Sequence, residues 1–168
     1  MASSTTLEKY IEKYLHLGCP IVKIHINKIA IPNTLIDPGA TISVMTKNIM
    51  DELQLRNLRY TPIVSQLANR STIKQEGVLE DILIYLDPWE YPIDFMVLTP
   101  KTNSTRYSLI LGRPCLSIID AFISFTFGDM TISNGNATKM FILYPLAKII
   151  TAFEDNKWIV DEDDYEII

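Results

Sequence analysis

The chain is poor in the residues from which metal sites and nucleophilic triads are built. It has two histidines, two cysteines and no run of basic residues. His16 and His25 both fall in the first 25 residues, on the polar faces of a helical and a strand-like segment. Neither a Ser/His/Asp triad nor a Cys/His pair is therefore supported. Cys19 and Cys115 have no second Cys or His at ligand spacing, which argues against zinc and a disulfide framework and reads both as buried thiols. Nucleic acid is a poor partner, because phosphate contacts need concentrated positive charge. The formal charge is -5, and Glu154, Asp155, Asp161, Glu162, Asp163, Asp164 and Glu166 against Lys157 place that excess at the C-terminal end, leaving a nearly neutral body. No stretch reaches the roughly 20 apolar residues that span a bilayer, and residues 1–6 lack a charged region followed by an apolar one. No membrane partner is expected. The chain reads as intracellular, in the cytoplasm, with its Asn-x-Ser/Thr matches at Asn69, Asn103 and Asn136 idle.

What is present is apolar patterning. With 168 residues, 48% of them apolar, the chain can bury one sizeable core, and a prior of about 100–200 residues per domain gives a single domain. Residues 1–18 read as an N-terminal extension with a short helix, Leu7 to Leu17, closed by Gly18 and Pro20. From Pro20 the period becomes two: Val22, Ile24 and Ile26 alternate with Lys23, His25 and Asn27, which describes a half-buried strand. A turn at Asn27-Lys28 follows, Pro32-Asn33 interrupts the pattern, and Leu35-Ile36 carries the chain into Asp37. Thr46 is placed to cap a helix from Lys47 to about Leu55, with Met45 stapling onto Met50. Strands are expected at about 62–68 and 72–86, joined by a polar tip, and then from Tyr91 to Leu98 with Ile93, Phe95 and Val97 inward. Pro114 at a first helical position predicts a second helix, Arg113 to Ala121. Phe122 to Phe127 alternates again, with Ile123, Phe125 and Phe127 on one face; the aromatics Phe122, Phe125 and Phe127 read as core and sheet packing, and Gly128-Asp129 and Asn134-Gly135 mark tight turns. The domain body, 19–146, is followed by 147–168, in which Ala147 to Phe153 is apolar and Glu154 to Ile168 acidic: an arm packed on something, then a solvated tail.

The chemistry concentrates at Asp37-Pro38-Gly39-Ala40. An acid ends a buried strand, and the glycine after it lets the backbone bend tightly and present an N–H to the carboxylate. The ordered set of residues 34–45, 66–71, 77–81, 94–98 and 109–114, the last reading Leu-Ile-Leu-Gly-Arg-Pro, resembles the retropepsin-like aspartic protease domain of gypsy-class, plant-type LTR-retrotransposon polyproteins. The resemblance covers about residues 19–145. It implies a mainly β fold, a small closed β-barrel with one or two short helices, working as a homodimer on peptide or polyprotein substrates. Aspartic catalysis needs two carboxylates sharing one proton. This chain has a single Asp-x-Gly, so the second acid is Asp37 of another copy across a two-fold axis. On the same resemblance Gly39, Ala40 and Thr41 complete the catalytic turn, Gly112 braces it, and Arg113 forms ion pairs near the dimer axis. Ala68, Asn69, Arg70, Ser71 and Thr72 form a flap over an extended substrate. No cofactor and no metal are implied, because the carboxylate pair activates water by itself.

The match departs at position 38. The family normally has Ser or Thr there, whose hydroxyl and backbone N–H link the two catalytic turns across the dimer axis; many plant-type relatives carry Leu, which keeps the N–H, whereas Pro38 has neither donor. Two readings follow: a dimeric aspartic endopeptidase that releases units of its own polyprotein, or a catalytically inactive retropepsin-like module for dimerisation or peptide binding. A third, an adaptor in which this fold is joined to a ubiquitin-related domain, finds no such domain in these 168 residues.

Overall fold

The computed structural model describes residues 18–60, 74–100 and 107–144. The expected N-terminal helix, the first strand after Arg59 with its polar tip, and the acidic tail lie outside the described residues.

Strand β1 (Ile21–Ile26) buries Val22, Ile24 and Ile26 and turns Lys23 and His25 the other way. It reverses at Asn27-Lys28, both at positive φ (50° and 66°), the hand a two-residue hairpin turn requires, and pairs with β2 (Ile29–Ile36). Pro32-Asn33 does not break β2. Val22 faces Thr34 and Ile24 faces Ile31, so Pro32 and Asn33 together oppose Lys23 in a bulge, where a residue without an N–H costs no ladder bond.

Then come β3 (Ser43–Thr46), α1 (Lys47–Glu52), β4 (Lys74–Leu86), β5 (Trp89–Thr99), β6 (Leu109–Leu111) and α2 (Arg113–Ile118). The six strands close a barrel in the order β1-β2-β6-β3-β5-β4, with the pair His25–Tyr85 joining β4 back to β1. Ile93, Phe95 and Val97 point inward as their alternation predicts, against Ile24, Ile36, Met45, Leu79, Ile84, Leu109 and Leu111, all fully buried. Each such side chain contributes about 1.5–3 kcal/mol of transfer free energy.

Both helices end early, at Glu52 and Ile118, and the chain reverses through Gln54 (φ 54°) and Asp120 (φ 48°). Thr46 holds the N-cap position of α1 as expected but makes no side-chain capping bond; it is the buried last residue of β3, paired with Leu98. A second, antiparallel sheet follows, β7 (Phe122–Ser124), β8 (Asp129–Asn134) and β9 (Ala137–Ile142), in the order β7-β8-β9. The alternation predicted from Phe122 to Phe127 stops at Ser124, because the Gly128 N–H bonds to the Ser124 carbonyl (2.8 Å) and curls the chain. Phe125 and Phe127 are consequently exposed, Phe122 is exposed on the outer face of β7, and the core side of this sheet is supplied by Ile123, Met130 and Phe141, which stand in register. Cys115 is buried but Cys19, ahead of β1, is exposed. Among the described residues no helix is long and apolar enough to cross a membrane, and no group of His, Cys, Asp and Glu is arranged to hold a metal ion.

Candidate active site

Strand β6 lies between the two arms of the Asp37 turn. It runs parallel to β2, pairing Ile36 with Leu111, and antiparallel to β3, pairing Val44 with Ile110. This arrangement drives Gly112, the residue after β6, into the mouth of the loop 37–42.

The acid is held by its own turn. The Asp37 N–H donates to the Leu111 carbonyl (3.0 Å), one step beyond the β2–β6 ladder. The Gly39 N–H donates to Asp37 Oδ1 (2.8 Å) and the Ala40 N–H to the Asp37 carbonyl (3.1 Å). A bond from a backbone N–H to a carboxylate is charge-assisted and short. Asp37 is half-buried, while Pro38 and Gly39 are exposed, so the carboxylate sits at an open mouth.

Gly112 closes the turn from the far side. Its N–H donates to Ser43 Oγ (3.1 Å, buried), and the next N–H, of Arg113, donates to the Ala40 carbonyl (2.9 Å). A Cβ at Gly112 would stand 2.3 Å from the Ile42 carbonyl oxygen and 3.0 Å from that of Ala40. Its φ of -88° is open to any residue, so glycine is needed here for close approach alone. Ser43 is the functional-site residue that the sequence reading missed. Only 2% exposed, it heads β3 as a polar residue on a strand whose next inward position is Met45. That inward serine was the available signal.

The remaining expected residues divide. Thr41 is exposed, and its side chain makes no hydrogen bond to the described residues. Arg113 contributes its backbone to the turn, while its exposed guanidinium pairs with no carboxylate among the described residues. Ala68, Asn69, Arg70, Ser71 and Thr72 lie outside the described residues. Among the described residues no second acid is bonded to the turn. Asp120 follows α2, where it accepts from the Ser133 hydroxyl, and Asp129 opens β8 opposite Ser124 and Ile142.

No protein-family model matches the chain, and no curated protein sequence matches it. Among solved structures it is similar to the retroviral protease-like domain of Ddi1 from Leishmania major, with a TM-score of 0.57 at 20% identity over 71% of this chain and 90% of that one. A retropepsin-like aspartic protease from Rickettsia conorii overlaps with a TM-score of 0.45 at 17% identity, over 61% of this chain and 74% of that one. The barrel, the paired arms around Asp37 and the likeness to the Leishmania domain together give the chain a retropepsin-like fold.

Proposed function

We propose that the chain is a retropepsin-type aspartic endopeptidase, acting as a homodimer in which the Asp37 carboxylates of two copies form the catalytic pair. The observation that carries this reading is the turn itself: a carboxylate held by the Gly39 N–H, braced by Gly112 and open to solvent beside Pro38. In such a pair one carboxylate removes a proton from water as the water attacks the scissile carbonyl. The other, protonated, donates to the carbonyl oxygen, and a proton then passes to the leaving nitrogen. The titration belongs to the pair rather than to either acid. The substrate is an extended peptide, held by backbone hydrogen bonds with alternate side chains in apolar pockets and covered by a flap at 68–72. The order of the sequence motifs supports the narrower assignment to polyprotein processing in a gypsy-class retrotransposon, acting inside the cell.

The second reading, a catalytically silent dimerisation or peptide-binding module, is favoured by one observation. Pro38 occupies the exposed corner of the turn with neither an N–H nor a hydroxyl to offer a partner. Cleavage of a peptide library across about pH 4 to 7, the range of a shared-proton carboxylate pair, separates the two readings when parent, Asp37→Asn and Pro38→Thr are compared. Activity of the parent that vanishes in Asp37→Asn establishes the protease. A silent parent with an active Pro38→Thr means an intact fold disarmed at one position, and silence from all three folded proteins favours the binding module.

A further inference from the structure

The outer face of the β7–β9 sheet carries three exposed apolar side chains among polar ones, uncovered by the described residues. Phe122, Thr131 and Met140 stand opposite one another as one cross-strand row, and Ser124, Asp129 and Ile142 as the next row on that face. Phe122 is 71% exposed, Met140 60% and Ile142 49%. Isolated exposed apolar residues need no account, but neighbours across a sheet make a patch. A sheet with apolar residues on both faces is completed by a layer on each.

The chain that follows supplies a matching surface. The Leu143 N–H donates to the Gly128 carbonyl (3.0 Å), and the Tyr144 ring lies against Gly128, where a Cβ would meet it at 2.9 Å. The chain thus leaves β9 beside the Ile142 row. In the residues that come next, Leu146, Ile149, Ile150 and Phe153 fall at i, i+3, i+4 and i+7, behind Pro145 at a first helical position. That spacing describes the apolar stripe of an amphipathic helix. Eight helical residues span about 12 Å, close to the roughly 10 Å across three strands.

We propose that residues 145–153 fold back as an amphipathic helix onto the outer face of β7–β9 in the same chain, covering Phe122, Met140 and Ile142. Because the stripe begins two residues after Tyr144, docking within the chain needs no linker, and its effective concentration exceeds that of any second copy at ordinary protein concentrations. The inference stands independently of the catalytic reading.

The test uses the full chain with Cys19→Ser, Met140→Cys and Ile150→Cys, treated with a short bis-maleimide. Rapid cross-linking at monomer mass is expected, at least ten times faster than when the second cysteine is Lys148→Cys, on the other side of the helix. Equal rates for the two positions, or no cross-link, would overturn the proposal. So would cross-links found only between copies, detected by mixing isotopically labelled and unlabelled chains. If this pair fails to fold by circular dichroism, Phe122→Cys with Phe153→Cys puts the same question.

Discussion

Replacing Gly112 by alanine tests whether the Asp37 turn is held by close backbone approach. The new Cβ would stand 2.3 Å from the Ile42 carbonyl oxygen and 2.7 Å from its carbon, both backbone atoms with no rotamer to yield. Either strand end must retreat by about 1 Å to reach van der Waals contact, lengthening the Gly112–Ser43 and Arg113–Ala40 hydrogen bonds. Overpacking costs about 1–3 kcal/mol and each of the two weakened bonds about 1 kcal/mol, so the expected loss is about 3–5 kcal/mol. For a chain of this length that lowers the thermal midpoint by roughly 10 °C. Ser43→Ala separates the two contributions: it leaves the buried Gly112 N–H unsatisfied, at about 1–3 kcal/mol, with no clash. The assay is urea unfolding of the parent and both variants followed by circular dichroism. Gly112→Ala within about 0.5 kcal/mol of the parent, a change typical of an uninvolved surface site, or no worse than Ser43→Ala, would refute the bracing argument.

The native chain should react with one equivalent of thiol reagent, at exposed Cys19, and with two after unfolding, because Cys115 is fully buried and its thiol is pushed up to about 12 by that burial. The same burial makes stability fall at alkaline pH. The folded state keeps the Cys115 proton above the ordinary 9.0, where the unfolded state releases it, and the slope approaches 1.4 kcal/mol per pH unit for one proton. Tyr91 and Tyr144, also raised by burial, act in the same direction. Urea midpoints that stay flat from about pH 9 upward, or that fall as steeply in Cys115→Ala as in the parent, would contradict this linkage. Pro38→Thr should leave the unfolding of the dilute monomer unchanged and tighten self-association by about 1–3 kcal/mol, or roughly 5- to 150-fold in Kd, as sedimentation equilibrium would show.

Strands with one face on the core were legible from sequence. The alternation of Val22, Ile24 and Ile26, and of Ile93, Phe95 and Val97, survives in the barrel because each inward residue meets a buried partner. Where chain-distant contacts decide, the local pattern misled. Pro32 reads as a strand breaker until β1 is set beside it and a bulge absorbs it. The Phe122–Phe127 alternation reads as a strand until the Ser124–Gly128 bond bends it and leaves the Phe125 and Phe127 rings exposed. At the candidate site, Asp37, Gly39 and Ala40 were readable because their bonds span two or three residues. The brace by Gly112 joins parts of the chain far apart in sequence and came through resemblance alone. Ser43 was passed over because a serine beside a turn is common, and only its burial against Gly112 gives it a task.

The hydrogen bonds around Asp37 assign separate tasks to adjacent positions. The N–H of Asp37 goes to Leu111, that of Gly39 to the carboxylate, that of Ala40 to the Asp37 carbonyl, that of Gly112 to Ser43 and that of Arg113 to Ala40. Position 38 supplies none of these bonds and its side chain is exposed. A residue without an N–H is therefore admitted there without removing any bond from the fold. What proline deletes are donors at the exposed corner of the turn, where the dimeric reading brings the second Asp37. Holding one acid and joining two acids are then separable properties of a four-residue turn. The first is carried by Gly39, Gly112 and Ser43, and the second rests on the residue at which this chain departs from the family it resembles.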